Sequence, residues 1–379
     1  VSGGGCPDLG SLLLMPTTGK LEVDYKAYGS PMMMQKASPG YYTNFLPRYD
    51  VRTEVTATPR TSMARFWFPK GKSNILLNLG EGLTNESGAM VRRVSETEYE
   101  GVKLLGTFCY NPQAVFPIYF VMRVDTKPTE AGYWKKQRPM TGVEAEWDKD
   151  NGKYKLYTNY TKEIAGDDVG VYLNFDSYGN EPVVVRMGVS FVSMANAREN
   201  LDAEQGGKDF DTIKEEARNA WNKDLSRIEV EGGTEDQRTV FYTALYHALL
   251  HPNILQDVNG QYPTLETGEV KTMREGNRYT VFSLWDTYRT TATLQALIAP
   301  DEASDMAQSL LLDAEQGGAY PNWSMNNVEY GVMNGYSTFP FIANLYAFGA
   351  RNFDLQATKE MMKRVSVKHI KCKGFHGWE

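Results

Sequence analysis

Residues 182–228 read PVVVRMGVSFVSMANARENLDAEQGGKDFDTIKEEARNAWNKDLSRI, and the chain changes its period inside them. Up to Met194 the stretch is dense in Val, Phe and Met, as a strand prefers. From Asp209 to Ile228 the apolar residues Phe210, Ile213, Ala217, Trp221 and Leu225 recur three or four apart, which sets them on one face of a helix. The switch near Ala195 separates a β half from an α half. Residues 1–205 are expected to form a β-sandwich, 206–233 a linker helix, and 234–379 a helical domain.

Upstream, ARFWFP (64–69), NILLNL (74–79), FPIYFVMRVD (116–125) and GVYLNF (170–175) are further strand candidates. Pro39-Gly40, Pro47, Asn151-Gly152 and Ser177-Tyr178-Gly179-Asn180 supply turns around them. Many strands without helical patterns between them predict an antiparallel sandwich. Downstream, Thr234 and Gln237 form a capping-box signature for a helix with the stripe Val240, Phe241, Ala244, Leu245 and Ala248, closed by Pro252. Further helices are expected near 283–298, 301–314, 338–348 and 354–366, the form of an all-α toroid or bundle.

At 379 residues the chain has room for two domains, and 41% apolar with 23% charged residues is globular composition. The net charge of −7 is spread out, and no basic run follows a phosphate backbone, which argues against a nucleic-acid partner. No apolar run approaches the roughly 20 residues that cross a bilayer. Cys6, Cys109 and Cys372 lack the spacing of a zinc site. The 23 tyrosines and 7 tryptophans suit sugar stacking as well as they suit a large core.

Two stretches could carry chemistry. FSLWDTYRTT (282–291) places Trp285, Asp286, Tyr288 and Arg289 together at a helix start, with Asp286 and Arg289 three apart and able to pair. In a pocket, Asp286 could accept hydrogen bonds from sugar hydroxyls while Trp285 packs on the ring; equally, the pair could tie helix to helix. QGGAYPNWSMNNVEYGVMNG (316–335) holds one carboxylate, Glu329, among Trp323, Met325, Tyr330 and Met333. A carboxyl group in such surroundings loses hydration in its charged form and stays protonated more readily, which a glycosidase general acid requires. A solvated or structural acid fits the same residues. The glycine-rich opening VSGGGCPDLG lacks a P-loop's Lys-Ser/Thr, and Asp257-Val258-Asn259-Gly260 lacks the later ligands of a calcium loop. His247 and His251 stand four apart without an HExxH motif.

GGGCPDLGSLLLMPTTG, YTALYHALLHPNILQDVNGQY, YTVFSLWDTYRTTATLQALIAP and GGAYPNWSMNNVEYGVMNG follow one another in an order that resembles glycoside hydrolase family 92, the calcium-dependent exo-α-mannosidases. The resemblance runs end to end, and its WDTYR segment is highly specific. It implies an N-terminal antiparallel β-sandwich followed by part of an (α/α)6 toroid. It also implies inverting hydrolysis of α-mannosides, many of them α-1,2-linked, with Ca2+ as cofactor, mannose-containing glycans as partners and a secreted or periplasmic location.

On this resemblance Glu329 is the general acid, Asp286 with Trp285 and Arg289 belongs to the terminal-mannose pocket, and Trp323 lines the leaving-group side. Tyr336-Ser337 stand where the family usually has a His. No GNDD motif occurs, and GNEP at 179–182 lies in the β half. The catalytic base and most calcium ligands are therefore expected beyond Glu379, an opening glycine-rich motif before Val1, and no activity from this fragment alone. The alternatives are a non-catalytic carbohydrate-binding protein and another toroid glycosidase or phosphorylase.

Overall fold

The structure is a computed structural model that describes residues 10–82, 85–106, 115–137, 153–330 and 335–367. The three cysteines, His369, His376, Met333, Asn151-Gly152 and the opening glycines lie outside the described residues. The chain divides into two compact units, one mostly of residues 10–106 and 117–218, the other mostly of 219–367.

In the first unit the strands are β1 (Leu13–Thr18), β2 (Met33–Ser38), β3 (Tyr41–Leu46), β4 (Val51–Ala57), β5 (Thr61–Trp67), β6 (Gly71–Asn78) and β7 (Asn85–Arg93). They continue as β8 (Glu98–Gly106), β9 (Val115–Val124), β10 (Glu130–Lys136), β11 (Tyr154–Thr158), β12 (Ile164–Gly166), β13 (Val169–Ser177) and β14 (Val183–Ser190). They form a five-stranded sheet, β1-β6-β13-β10-β11, and a nine-stranded sheet, β12-β7-β8-β9-β14-β5-β4-β3-β2. Among the described residues β1·β6, β6·β13, β13·β10 and β10·β11 of the smaller sheet, and β12·β7, β7·β8, β9·β14, β14·β5, β5·β4, β4·β3 and β3·β2 of the larger, run antiparallel.

Period two determines which residues meet between the sheets. Leu77 pairs with Val171 and Val171 with Tyr133, and all three enter one core with Phe66, Phe120 and Val185 of the larger sheet. Their neighbours Leu76, Tyr172 and Trp134 point the other way, where Val23 and Tyr28 cover them. Tyr28 ends the short helix α1 (Tyr25–Tyr28). Gly170 lies beneath Trp134, where a Cβ would come within 2.1 Å of the indole.

The opening stretch behaves differently from its expected course. β14 stops at Ser190, and Ser193 caps a helix, α2 (Met194–Gln205), within the span assigned to the sandwich. Ala197 and Leu201 of α2 pack on Val121. Gly188 permits this approach, since a Cβ there would sit 2.4 Å from the Ala197 carbonyl oxygen. The next helix, α3 (Phe210–Leu225), buries Phe210 and Ile213 against Met63. The division between the units falls inside α3.

The second unit opens with α4 (Glu235–Ala248), whose capping box closes as the sequence predicts: Thr234 Oγ1 accepts from Gln237 N–H at 3.2 Å and Gln237 Oε1 from Thr234 N–H at 2.9 Å. Its stripe is mostly uncovered, for only Leu245 is buried and Val240 is 68% exposed. The helix expected at 283–298 is two, α5 (Leu284–Thr287) and α6 (Thr291–Ile298). α7 (Pro300–Gly317), α8 (Thr338–Phe348) and α9 (Leu355–Val367) follow. Ala296, Leu310, Phe341, Leu345 and Val365 form the core between them.

Candidate active site

Three very short strands, β19 (Phe282–Ser283), β20 (Trp323–Met325) and β21 (Val328–Glu329), pair side by side in the second unit. Four others precede them: β15 (Asn253–Ile254), β16 (Gln261–Pro263), β17 (Val270–Thr272) and β18 (Tyr279–Thr280). Ser283 pairs with Trp323, and Ser324 pairs with Glu329. The small sheet therefore joins the WDTYR segment, which follows β19 after one intervening residue, to the strand that ends in Glu329.

Glu329 is 3% exposed, among Trp323, Met325 and Tyr330, each 2% exposed. The poorly hydrated surroundings expected from the sequence are present. The carboxylate is also held by main-chain donors that composition could not show. Oε2 accepts from Asn322 N–H at 3.0 Å and from Trp323 N–H at 3.2 Å, and Oε1 from Trp323 N–H at 3.3 Å. Burial favours the neutral acid, whereas amide donors favour the charged form and fix the group in one orientation.

The hairpin carrying Glu329 turns through Asn326, whose φ of +53° is left-handed, a region asparagine tolerates. Its tip is tied down twice: Thr280 Oγ1 donates to Asn326 O at 2.7 Å, and Glu266 N–H donates to Asn327 O at 2.8 Å. Glu266 has a second hold, because its Oε1 accepts from the Glu329 N–H at 2.8 Å. Both anchoring segments are themselves left-handed, with φ of +65° at Glu266 and +62° at Val281, the residue after Thr280. For a β-branched residue that is an outlier, and such outliers gather where the surrounding structure enforces a function-bearing geometry.

The pocket candidates are placed as follows. Asp286 and Arg289 are exposed and Trp285 is 39% exposed. The Asp286–Arg289 pair does not form. Asp286 accepts a hydrogen bond from Ser283 Oγ, and Arg289 lies over the rings of Tyr288 at 4.6 Å and Trp285 at 5.2 Å. A guanidinium over an aromatic face keeps its charge hydrated while gaining the ring's quadrupole attraction. Asp286 and Trp285 are thus both accessible to solvent. Trp323, by contrast, is buried, and it contributes its amide to Glu329. Ser337 is buried at the start of α8, and the exposed Tyr336 stacks on Phe339 at 5.4 Å.

Reading residue types one by one missed Glu266, Ser283 and Val281, because TLETGEV reads as an ordinary turn and contacts across 63 residues leave no local pattern. Among the described residues no group of three or more His, Cys, Asp or Glu could hold a metal ion, so the described donors do not make the calcium site that the resemblance implies. A cavity of about 430 Å³ lies in the first unit, lined by Lys135, Lys136, Gly166, Asp167 and Asp168. Tyr154 OH and Lys136 already engage Asp168, and those five lining residues offer no aromatic face.

A sandwich followed by helices, with a buried and amide-held carboxyl group in the helical unit, is the setting in which the family is met. The chain belongs to glycosyl hydrolase family 92: residues 1–190 match the family's N-terminal domain and residues 196–377 its catalytic domain. A family GH92 alpha-mannosidase from Bacteroides thetaiotaomicron superposes with a TM-score of 0.86 at 27% identity, over 98% of this chain and 49% of that one. A family GH92 inverting mannosidase from the same species gives 0.80 at 25% identity, over 95% and 46%. An uncharacterized secreted glycosidase of Arthroderma benhamiae is 28% identical over 293 residues, 70% of this chain and 36% of that protein. The architecture is accordingly a β-sandwich followed by part of an (α/α)6 toroid, and the chain spans about half the length of these structures.

Proposed function

We propose that the protein carrying this chain removes terminal mannose from α-mannosides, α-1,2-linked ones among them, by inverting hydrolysis. Family membership and the names of the mannosidases above support the substrate class. The observation that carries the mechanism is Glu329, buried at the end of a strand whose sheet also carries the WDTYR segment, with its carboxyl group oriented by two amides. In this reading Glu329 delivers a proton to the departing glycosidic oxygen. Asp286 accepts hydrogen bonds from hydroxyls of the terminal mannose, Trp285 packs on the apolar face of that sugar, and Arg289 stacked on Trp285 holds the indole in place.

Inversion needs a second carboxylate about 6.5–9.5 Å across the sugar to activate water. That base, and the calcium that would help to bind and distort the mannose, are assigned to residues other than those described. A secreted or periplasmic location accords with the name of the Arthroderma relative.

The test is the full-length gene product acting on α-1,2-mannobiose. Glu329→Gln is expected to lower kcat by about 10²–10⁴-fold, the usual worth of a positioned general acid, with an unchanged melting temperature. An unaltered rate would end the assignment. Mannose binding without turnover in the unmodified protein would favour a carbohydrate-binding role, a reading to which the Tyr336-Ser337 departure lends support.

A further inference from the structure

We propose that Glu266 is the positioning residue of the proton donor, an inference that rests on the reading of Glu329 given above. Glu266 is the middle residue of the Leu265-Glu266-Thr267 turn between β16 and β17. It touches the Glu329 hairpin with both its main chain and its side chain. Its N–H reaches Asn327 O at 2.8 Å, before β21, and its carboxylate accepts the N–H of Glu329 at 2.8 Å. The second contact is charge-assisted and therefore of the stronger kind.

The backbone of Glu266 shows that this grip is built in. A glutamate has no local reason to adopt a φ of +65°, which suits Gly, Asn or Asp. The conformation persists because its surroundings determine it. Leu265 is buried at 1% exposure against Gly317, and Thr264 is buried with its Oγ1 2.5 Å from that of Thr267. Thr264 N–H donates to Glu269 O at 2.8 Å, and Gly268 N–H donates to Thr264 O at 3.1 Å. Turn and buried flank together force Glu266 outward onto the hairpin.

Glu329 is then held at two ends. Asn322 and Trp323 fix the carboxyl group, and Glu266 fixes the main chain from which it projects. With the main chain released, the carboxyl group would follow its amide partners or drift from the leaving oxygen. Misplacement of a reacting group by about 1 Å can cost 10²-fold in rate.

The test uses the full-length protein and two substrates, α-1,2-mannobiose, whose departing sugar needs a proton, and 2,4-dinitrophenyl α-mannoside, whose leaving group does not. Glu266→Gly keeps the left-handed backbone and the bond to Asn327 but removes the carboxylate. It is expected to lower kcat on mannobiose by about 10–100-fold and on the dinitrophenyl mannoside by less than about threefold, with KM unchanged. Glu266→Gln, which keeps an acceptor, should stay within about threefold of the parent on both. Should Glu266→Gly not fold, Glu266→Asn tolerates the same φ, is one carbon shorter, and is judged by the same criterion.

Equal losses on both substrates, or a full rate on mannobiose when Glu329→Gln abolishes it, would overturn the inference alone. An unaffected Glu329→Gln would overturn the proton-donor reading, and this inference with it.

Discussion

Arg278 and Asp313 form an ion pair with side chains only 1% and 4% exposed. Arg278 also donates to Ser309 O at 2.9 Å and Tyr279 O at 3.1 Å, and it lies over the Tyr262 ring at 5.1 Å. Burial pushes the Asp313 carboxyl above the ordinary aspartate range, with Arg278 opposing. Taking two charges out of water gains little net stability, but removing one partner strands the other. Asp313→Ala is therefore expected to cost about 3–5 kcal/mol in urea unfolding, and Asp313→Asn less, since its amide oxygen still accepts. A loss below about 1 kcal/mol for the alanine variant would contradict the argument. Arg278 stands two residues before Thr280, which holds the Asn326 turn, and it donates to the carbonyl oxygen of the intervening Tyr279.

Three neighbouring strands share another carboxylate. Glu54 of β4 accepts from Tyr41 OH of β3 at 2.7 Å and from Arg65 Nε and Trp67 Nε1 of β5 at 2.7 and 2.8 Å. Burial raises its pKa, but the bonds from Arg65, Tyr41 and Trp67 outweigh that effect and hold it at about 2, against 4.5 for a free glutamate. A depressed carboxylate stabilises the fold fully above its unfolded value and loses that contribution as pH falls through the folded one. Thermal melts should show Glu54→Gln less stable by about 1–2 kcal/mol at pH 7, after allowance for solvent screening. The gap should narrow between pH 4.5 and 2, and a gap independent of pH would rule the network out as its source. Such cross-strand partners were not legible in sequence, though the strands were: ARFWFP, NILLNL and GVYLNF all lie in or across observed strands because period two survives wherever one face is buried. α2 was not legible, since Val189 to Met194 continues the apolar run of β14 and the only apolar residues α2 buries are Ala197 and Leu201. Strands of two or three residues, such as those bearing Glu329, are too short to show any period. The acid could be singled out by its apolar neighbours, whereas its amide donors and Glu266 belong to tertiary structure alone.

At the scale of the molecule, family membership joins a sandwich to part of a toroid, and both halves of that order were readable from the change of period near Ala195. Calcium belongs to the proposal for the whole protein. Chelation with EDTA is expected to lower mannobiose turnover by the full-length protein at least about tenfold and to leave the melting temperature of this 379-residue chain unchanged. Restoration by added calcium checks the first part, and a shifted melt would refute the second. The outermost strand of the larger sheet carries a different consequence. β2 is exposed along its length, with Met33 at 52% and Met34 at 76%, and Met32 just before it at 55%. An apolar edge invites further strands, but the left-handed Met34 and the register shift between Met33 and Lys36 break its template. The same three thioethers stand open to peroxide while Met63 and Met122 are sealed in the interior at 0% exposure. Among the described methionines oxidation would therefore begin at this edge, turning its apolar rim into polar sulfoxides before the packing of the sandwich is touched.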